Sequence, residues 1–296
     1  MKKFMQIFVC SGLLLTNCLS SISFAQEKPV IDEIKYYYDD KEISLSQAVQ
    51  LSSNYDVVFF DEYHDQASIH QAELEFFTEF YRQNPKMILS MEMFERDVQP
   101  TVNDYLNGAI SLEEFLNSSR PWDNYLTDYK PLVEFAKENG ISVLASNIPR
   151  RMAAQYAKTG DFSLINDEDK KYLPQKHLVE YEAYYNKFKQ YMLQEQAGKP
   201  MKMTPERIEL FYKAQCLKDD TMAESIVEFS KVHENTKVLH LQGAFHGDEH
   251  LGVVEKANKL HPALKTIVIT PVEAKDYEQV KNNYGKDTIL LTFVRK

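Results

Sequence analysis

The chain has 296 residues, 44% of them hydrophobic, a formal net charge of −10 and three cysteines. That length can bury one large α/β core or two small ones, and the negative balance disfavours a phosphate backbone, so nucleic acid is not an expected partner. No stretch beyond the N-terminus approaches the ~20 apolar residues that span a bilayer, so the mature chain is expected to have no transmembrane segment.

Lys2 and Lys3 precede an apolar run ending at Ser23-Phe24-Ala25 before Gln26, the pattern of a cleaved secretory signal. A lipid anchor at Cys18 is the alternative, but Leu15-Thr16-Asn17 sets a bulky polar residue where processing favours Gly, Ala or Ser, so cleavage after Ala25 is the preferred reading. Residues 1–25 then form the signal and 26–296 one exported domain in the cell envelope, periplasmic or associated with the outer membrane. Loss of Lys2 and Lys3 takes the net charge from −10 to −12. Cys216 becomes the sole thiol, which rules out an intramolecular disulfide and reads as buried and inert in a helical run.

Apolar, β-branched-rich runs recur at Asp56–Phe60, Met87–Met91, Ser142–Ala145, Lys237–Leu241, Lys265–Thr270 and Thr288–Val294. Amphipathic stretches separate most of them: Ala67–Arg82, Tyr129–Glu138, Pro149–Lys158, a lid-like Gln175–Gln194 and a long Pro205–Val232, the last two parted by Ala197–Pro200. The alternation predicts an α/β fold with a mainly parallel sheet flanked by helices. Six strands are too few for a barrel, so the sheet is open and doubly wound. About ninety residues lie between the third and fourth strands, more than one crossover needs, which predicts a helical insertion over about residues 150–232.

Each polar motif follows a strand: DEYHD (Asp61–Asp65), EMFER (Glu92–Arg96), NIPRR (Asn147–Arg151) and QGAFHGDEH (Gln242–His250). In open parallel sheets the ligand crevice lies beyond the carboxyl ends of the strands, so these segments are expected to converge. Taken singly, Asp65 and Asn147 also suit helix capping. Glu62 and His64 alternate onto one face and, with Glu92 and His246, supply groups that bind a divalent metal or move protons, His64, Glu92 and His246 being the candidate metal ligands. Arg150 offers a fork for carboxylate or phosphate. His246 to His250 also spells H-x-x-E-H, a zinc-protease pattern that needs a helix, which Gly247 just after a strand disfavours.

Together these pieces resemble the ChaN-like haem-binding uptake proteins, of the superfamily that also holds Tiki-type proteases and erythromycin esterases. The matching motifs are Glu62-Tyr63-His64-Asp65, Glu92-Met93-Phe94, Asn147-Ile148-Pro149-Arg150, Lys218-Asp219-Asp220-Thr221-Met222-Ala223 and Gly243-Ala244-Phe245-His246. The resemblance implies an α/β fold with helical additions, an envelope location and haem held at a homodimer contact, and makes Glu62, His64, Glu92, Asn147, Arg150, Asp219 and His246 an inherited catalytic constellation. Asp61 and Phe245 stand where that pattern has glycine, and Lys218 where it has arginine.

Haem needs an axial ligand in an apolar setting. Tyr181, Tyr184 and Tyr185, with Phe188 and Tyr191, recur at helical spacing, and His177 stands one turn before; the same face could instead pack against the sheet or a second subunit. Two functions follow: an exported haem-binding or iron-uptake protein, and a metal-assisted or acid–base hydrolase, esterase or protease, with Glu62 as general base and His64, Glu92 and His246 as ligands or proton carriers. A third reading is an interaction protein with a vestigial site.

Overall fold

The computed structural model describes residues 34–196 and 203–295. The signal segment, Cys10, Cys18 and the Ala197–Pro200 break lie outside them. The strands are β1 (Lys35–Tyr38), β2 (Lys41–Ile43), β3 (Val57–Glu62), β4 (Met87–Glu95), β5 (Val143–Asn147), β6 (Lys237–Gly243), β7 (Thr266–Glu273) and β8 (Thr288–Phe293). The helices are α1 (Leu45–Ser52), α2 (Ala67–Gln83), α3 (Gln99–Leu106), α4 (Leu112–Ser119), α5 (Lys130–Glu138), α6 (Arg150–Thr159), α7 (Ala183–Glu195), α8 (Pro205–Val232), α9 (Val253–Leu260) and α10 (Tyr277–Val280).

One eight-stranded sheet runs β2-β1-β8-β7-β3-β6-β4-β5. Every pairing from β8 to β5 is parallel, and only β1 with β2 and with β8 is antiparallel. The two extra strands form a short hairpin turned by Asp39 and Asp40, both left-handed, as a tight two-residue hairpin turn requires. Three- and four-residue strands carry too little pattern to register as sheet.

Both faces of the sheet are covered, which is why its central strands read as unbroken apolar runs. Val58 and Phe60 pack with the core formed by α1, α2, α3 and α5. Their neighbours Val57 and Phe59 point the other way, onto Met222, Ile226, Val253 and Ala257 of α8 and α9. The consecutive strands β3 and β4 are not neighbours: β6 sits between them, so polar residues from three strands meet at one edge.

Three local expectations are corrected. The residue before α2 is Gln66, not Asp65, and it makes no side-chain cap; Asp65 instead lies 3.6 Å from Arg295. Asn147 does not cap α6, whose first turn follows Pro149. The lid helix starts at Ala183 rather than Gln175, so Tyr181 precedes it, while Tyr184 and Phe188 form its buried face.

Leu239, in the central strand β6, is fully buried in the larger core. Leu239→Ala is expected to lower unfolding free energy by about 3 kcal/mol, read as a lower urea midpoint with unchanged far-UV circular dichroism.

Candidate functional site

The carboxyl ends of β3, β4 and β6 bring Glu62, Glu92 and Gly243 side by side, Glu62 opposite Gly243 in register. β4 continues through the EMF motif to Glu95, with a register break between Met91 and Glu95. Such a bulge re-aims side chains at a sheet end. Glu92 Oε2 accepts the Gly243 amide at 2.8 Å, and Asn147 at the end of β5 donates to the Glu92 carbonyl at 3.1 Å. A Cβ at Gly243 would come 2.7 Å from His64 Nε2 and 3.6 Å from Glu92 Oε2. Glycine is therefore what lets the imidazole approach the carboxylate.

Two histidine–carboxylate assemblies result. In the first, buried Glu62 Oε1 takes His64 Nδ1 at 2.5 Å and the Tyr129 hydroxyl at 2.6 Å; Tyr129 closes a π-helical turn, Tyr125–Tyr129. Burial opposes the Glu62 charge, but the His64 hydrogen bond holds its carboxyl below the ordinary range. Burial likewise opposes protonation of His64, and the Glu62 bond outweighs it, so His64 titrates above its usual value. The His64 side chain keeps 45% of its surface exposed.

In the second assembly, His246 is clamped at both nitrogens: Nδ1 on Asp219 at 2.5 Å and Nε2 on Glu92 at 3.1 Å. Asp219 comes from α8, one turn after Gln215, whose amide also reaches the ring at 3.1 Å. Burial disfavours the imidazolium, yet the Glu92 and Asp219 charges push its pKa to about 10. Burial raises and His246 lowers the Glu92 pKa, and the net shift is well down. His246 is thus a doubly paired cation with no free lone pair.

Beside His64 opens a cleft of about 850 Å³ lined by Glu95, Arg120, Trp122, Asn124, Arg150 and Arg151. Trp122 meets the His64 ring edge-on at 4.7 Å between centroids, and Asn124 donates to the His64 carbonyl at 3.0 Å. Arg120 is tied to Glu95 and Asp97, and Arg151 to Asp97 and Asp169.

Of the predicted residues, Glu62, His64, Glu92, Asn147, Asp219 and His246 come together. Arg150 stands apart, exposed on the first turn of α6 at the cleft wall. The expected metal set of His64, Glu92 and His246 is divided between the two assemblies. Among the described residues the three donors that lie within 4.8 Å of one another are Glu62, His70 and Glu73. His70 and Glu73 follow no strand, so the strand-end rule misses them; their i, i+3 spacing on α2 was the available signal.

Of the tyrosines, Tyr181 is 50% exposed and donates to Glu209 at 2.9 Å. Tyr185 is half-buried, 5.1 Å from it between ring centroids. Tyr184 is buried, its oxygen accepting from Gln215 at 3.3 Å. His177 is occupied by Asp220 at 2.8 Å and Tyr156 at 3.1 Å. The His246–His250 segment is two 3₁₀ turns with Glu249 and His250 left-handed, so no helix presents a zinc-protease pair.

A family model described as haem-binding uptake, Tiki superfamily, ChaN, matches residues 48–256. The chain belongs to this ChaN haem-binding uptake family. Among solved structures it resembles ChaN of Campylobacter jejuni with cofacially bound haem, at 17% identity and a TM-score of 0.66, covering 88% of this chain and 97% of that one. It also resembles the type III effector HopBA1, at 12% identity and a TM-score of 0.48 over 85% and 94% of the two chains, and an erythromycin esterase, a mutant of EreC in its open conformation, at 14% and 0.44 over 77% and 72%. No curated protein sequence matches. The ChaN match agrees with the α/β fold expected from the strand pattern. No helix among the described residues is long and apolar enough to cross a membrane.

The clamp has a pH signature. A group whose pKa is raised by folding stabilises fully below its unfolded value, about 6.5 for histidine, and that stability is lost as pH rises through about 10. The thermal midpoint of the wild type is therefore expected to carry an extra fall spread between about pH 6.5 and about pH 10, and that fall to be absent from His246→Gln.

Proposed function

We propose that this chain is an exported haem-binding protein of the uptake type, and that it takes haem at the surface around Tyr181. The family match over residues 48–256 carries this reading. Tyr181 offers an oxygen donor of the kind haem iron accepts, half exposed and beside the Tyr185 ring. Burial and the Glu209 hydrogen bond raise its hydroxyl pKa, and Lys213, 2.9 Å from Glu209, offsets part of that. Bound haem would supply iron, with Tyr181 as its oxygen ligand. Tyr184, held in the interior, would support the surface from beneath, and Tyr185 would flank the ring system. Cofacial binding between two copies would bury the exposed Tyr181 ring, which makes a homodimer part of the proposal.

Haemin titration of the purified mature chain should give a saturable Soret shift in the wild type, weakened at least tenfold in Tyr181→Phe, with light scattering reporting dimers on addition. A Soret band that never saturates, or one indifferent to Tyr181→Phe, would overturn this assignment.

A second reading, ester hydrolysis at the sheet edge, is favoured by one observation. Buried Glu62 orients half-exposed His64, whose ring meets Trp122 of the cleft wall edge-on. His64 Nε2 would take a proton from water as its oxygen adds to the ester carbonyl, Glu62 would stabilise the imidazolium, and the proton would pass to the leaving alkoxide. Turnover across an ester panel should drop by about 10² or more in His64→Ala and survive in Tyr181→Phe; equal rates for wild type and His64→Ala would sink the idea.

A further inference from the structure

Beneath His64, two side chains that neither assembly uses, His70 and Glu73, gather about Glu62. Glu62 at the end of β3, and His70 and Glu73 on the first two turns of α2, are buried, at 1%, 4% and 0% exposure. His70 Nδ1 is 3.0 Å from Glu73 Oε2 and 3.5 Å from Glu62 Oε2. Its other nitrogen, Nε2, faces the His64 carbonyl at 3.3 Å and the Asp128 carboxylate at 3.8 Å. Both of those are acceptors, so Nε2 carries the proton, and in neutral imidazole Nδ1 presents a lone pair toward two carboxylates.

Three acceptors gathered within 4.8 Å of one another repel unless a cation or extra protons sit among them, and burial together with the Glu62 charge holds the Glu73 carboxyl well above the ordinary range. Glu62 Oε1 is already committed to His64 and Tyr129, while Glu62 Oε2 and Glu73 Oε1 are buried with no hydrogen-bond partner. Buried unpartnered carboxylate oxygens are rare because each forfeits its hydration. The arrangement on the far side of the imidazole is what metal-bound histidines have: the free N–H held by a carbonyl and a carboxylate, fixing tautomer and ring angle. Tyr129 adds a wall, edge-on to His70 at 5.1 Å.

We infer that Glu62, His70 and Glu73 form a binding site for one first-row divalent metal ion, held by His70 Nδ1 and an oxygen of each carboxylate. One imidazole and two carboxylates suit Mn²⁺, Fe²⁺ or Zn²⁺, and the two carboxylate charges match a dication. The site shares no residue with the Tyr181 surface, so it stands or falls independently of haem. Because Glu62 is common to this site and to the His64 assembly, a bound ion would also fix the carboxylate that orients His64.

The test loads the purified mature chain with Mn²⁺ or Zn²⁺ in the absence of haemin, removes unbound ion by gel filtration, and counts metal by mass spectrometry. About one equivalent is expected in the wild type, with a metal-dependent rise in thermal midpoint, and less than about a tenth in His70→Gln and Glu73→Gln. His246→Gln and Tyr181→Phe should bind as the wild type does. An empty wild-type chain after loading, or metal lost in His246→Gln but kept in Glu73→Gln, would overturn the site; the first result would leave protons shared among the three side chains. Should either variant fail to fold, paramagnetic resonance of Mn²⁺ on the unaltered chain decides the point: nitrogen coupling supports His70 ligation, and its absence at full occupancy opposes it.

Discussion

Buried negative charge is the constraint around which this molecule is arranged. Asp61, Glu62, Glu73, Glu92 and Asp219 are all nearly or wholly inaccessible, and an unpaired carboxylate in such a setting costs several kcal/mol. Different answers are used for neighbours. Glu92 and Asp219 share the His246 cation. Glu62 is met by His64 and Tyr129. Asp61, on the opposite face of β3, bonds Gln242 at 2.9 Å, and burial lifts its pKa well above the carboxylate range.

These pairings explain why the helices dock where they do. α8 must present Asp219 to His246, and its Thr221 carbonyl two residues on, with Glu224 and Ser225 a turn and more after Asp219, receive Arg96 from just after β4. Asp220, the next residue, faces another way, onto Lys256 at 2.6 Å and His177 at 2.8 Å. One helix thereby ties the sheet edge, α9 and the segment before α7 to each other. Breaking the ion pairs would remove more than local charge, because each one also fixes an element.

The two departures from the family's glycine pattern have packing explanations. Asp61 points away from Glu62, as alternate strand residues do, so its carboxyl does not crowd the cleft beside His64. A Cβ at Gly247 would strike Asp61 and Gln242, which shows how closely the chain closes over that buried pair. Phe245 lies among Tyr184, Phe188 and Tyr191, with ring centroids at 5.5, 5.8 and 5.5 Å. It seats α7, so the bulky residue supports that helix.

The local pattern determined the α/β class, the six long parallel strands and the meeting of Glu62, His64, Glu92, Asn147 and His246 at the strand ends; Asp219 joined that set only through the family motif. Fully buried strands announce themselves because both faces are apolar, and strand ends mark the crevice because parallel strands all finish on one edge. Tertiary structure alone decided the partners. That His246 is a clamped cation, that Arg150 stands outside the cluster, that Tyr184 is interior while Tyr181 is exposed, and that His70 and Glu73 reach under Glu62 all depend on how separate elements pack. Residue spacing encodes which face of one element a side chain occupies; it carries no information on which other element comes to meet it.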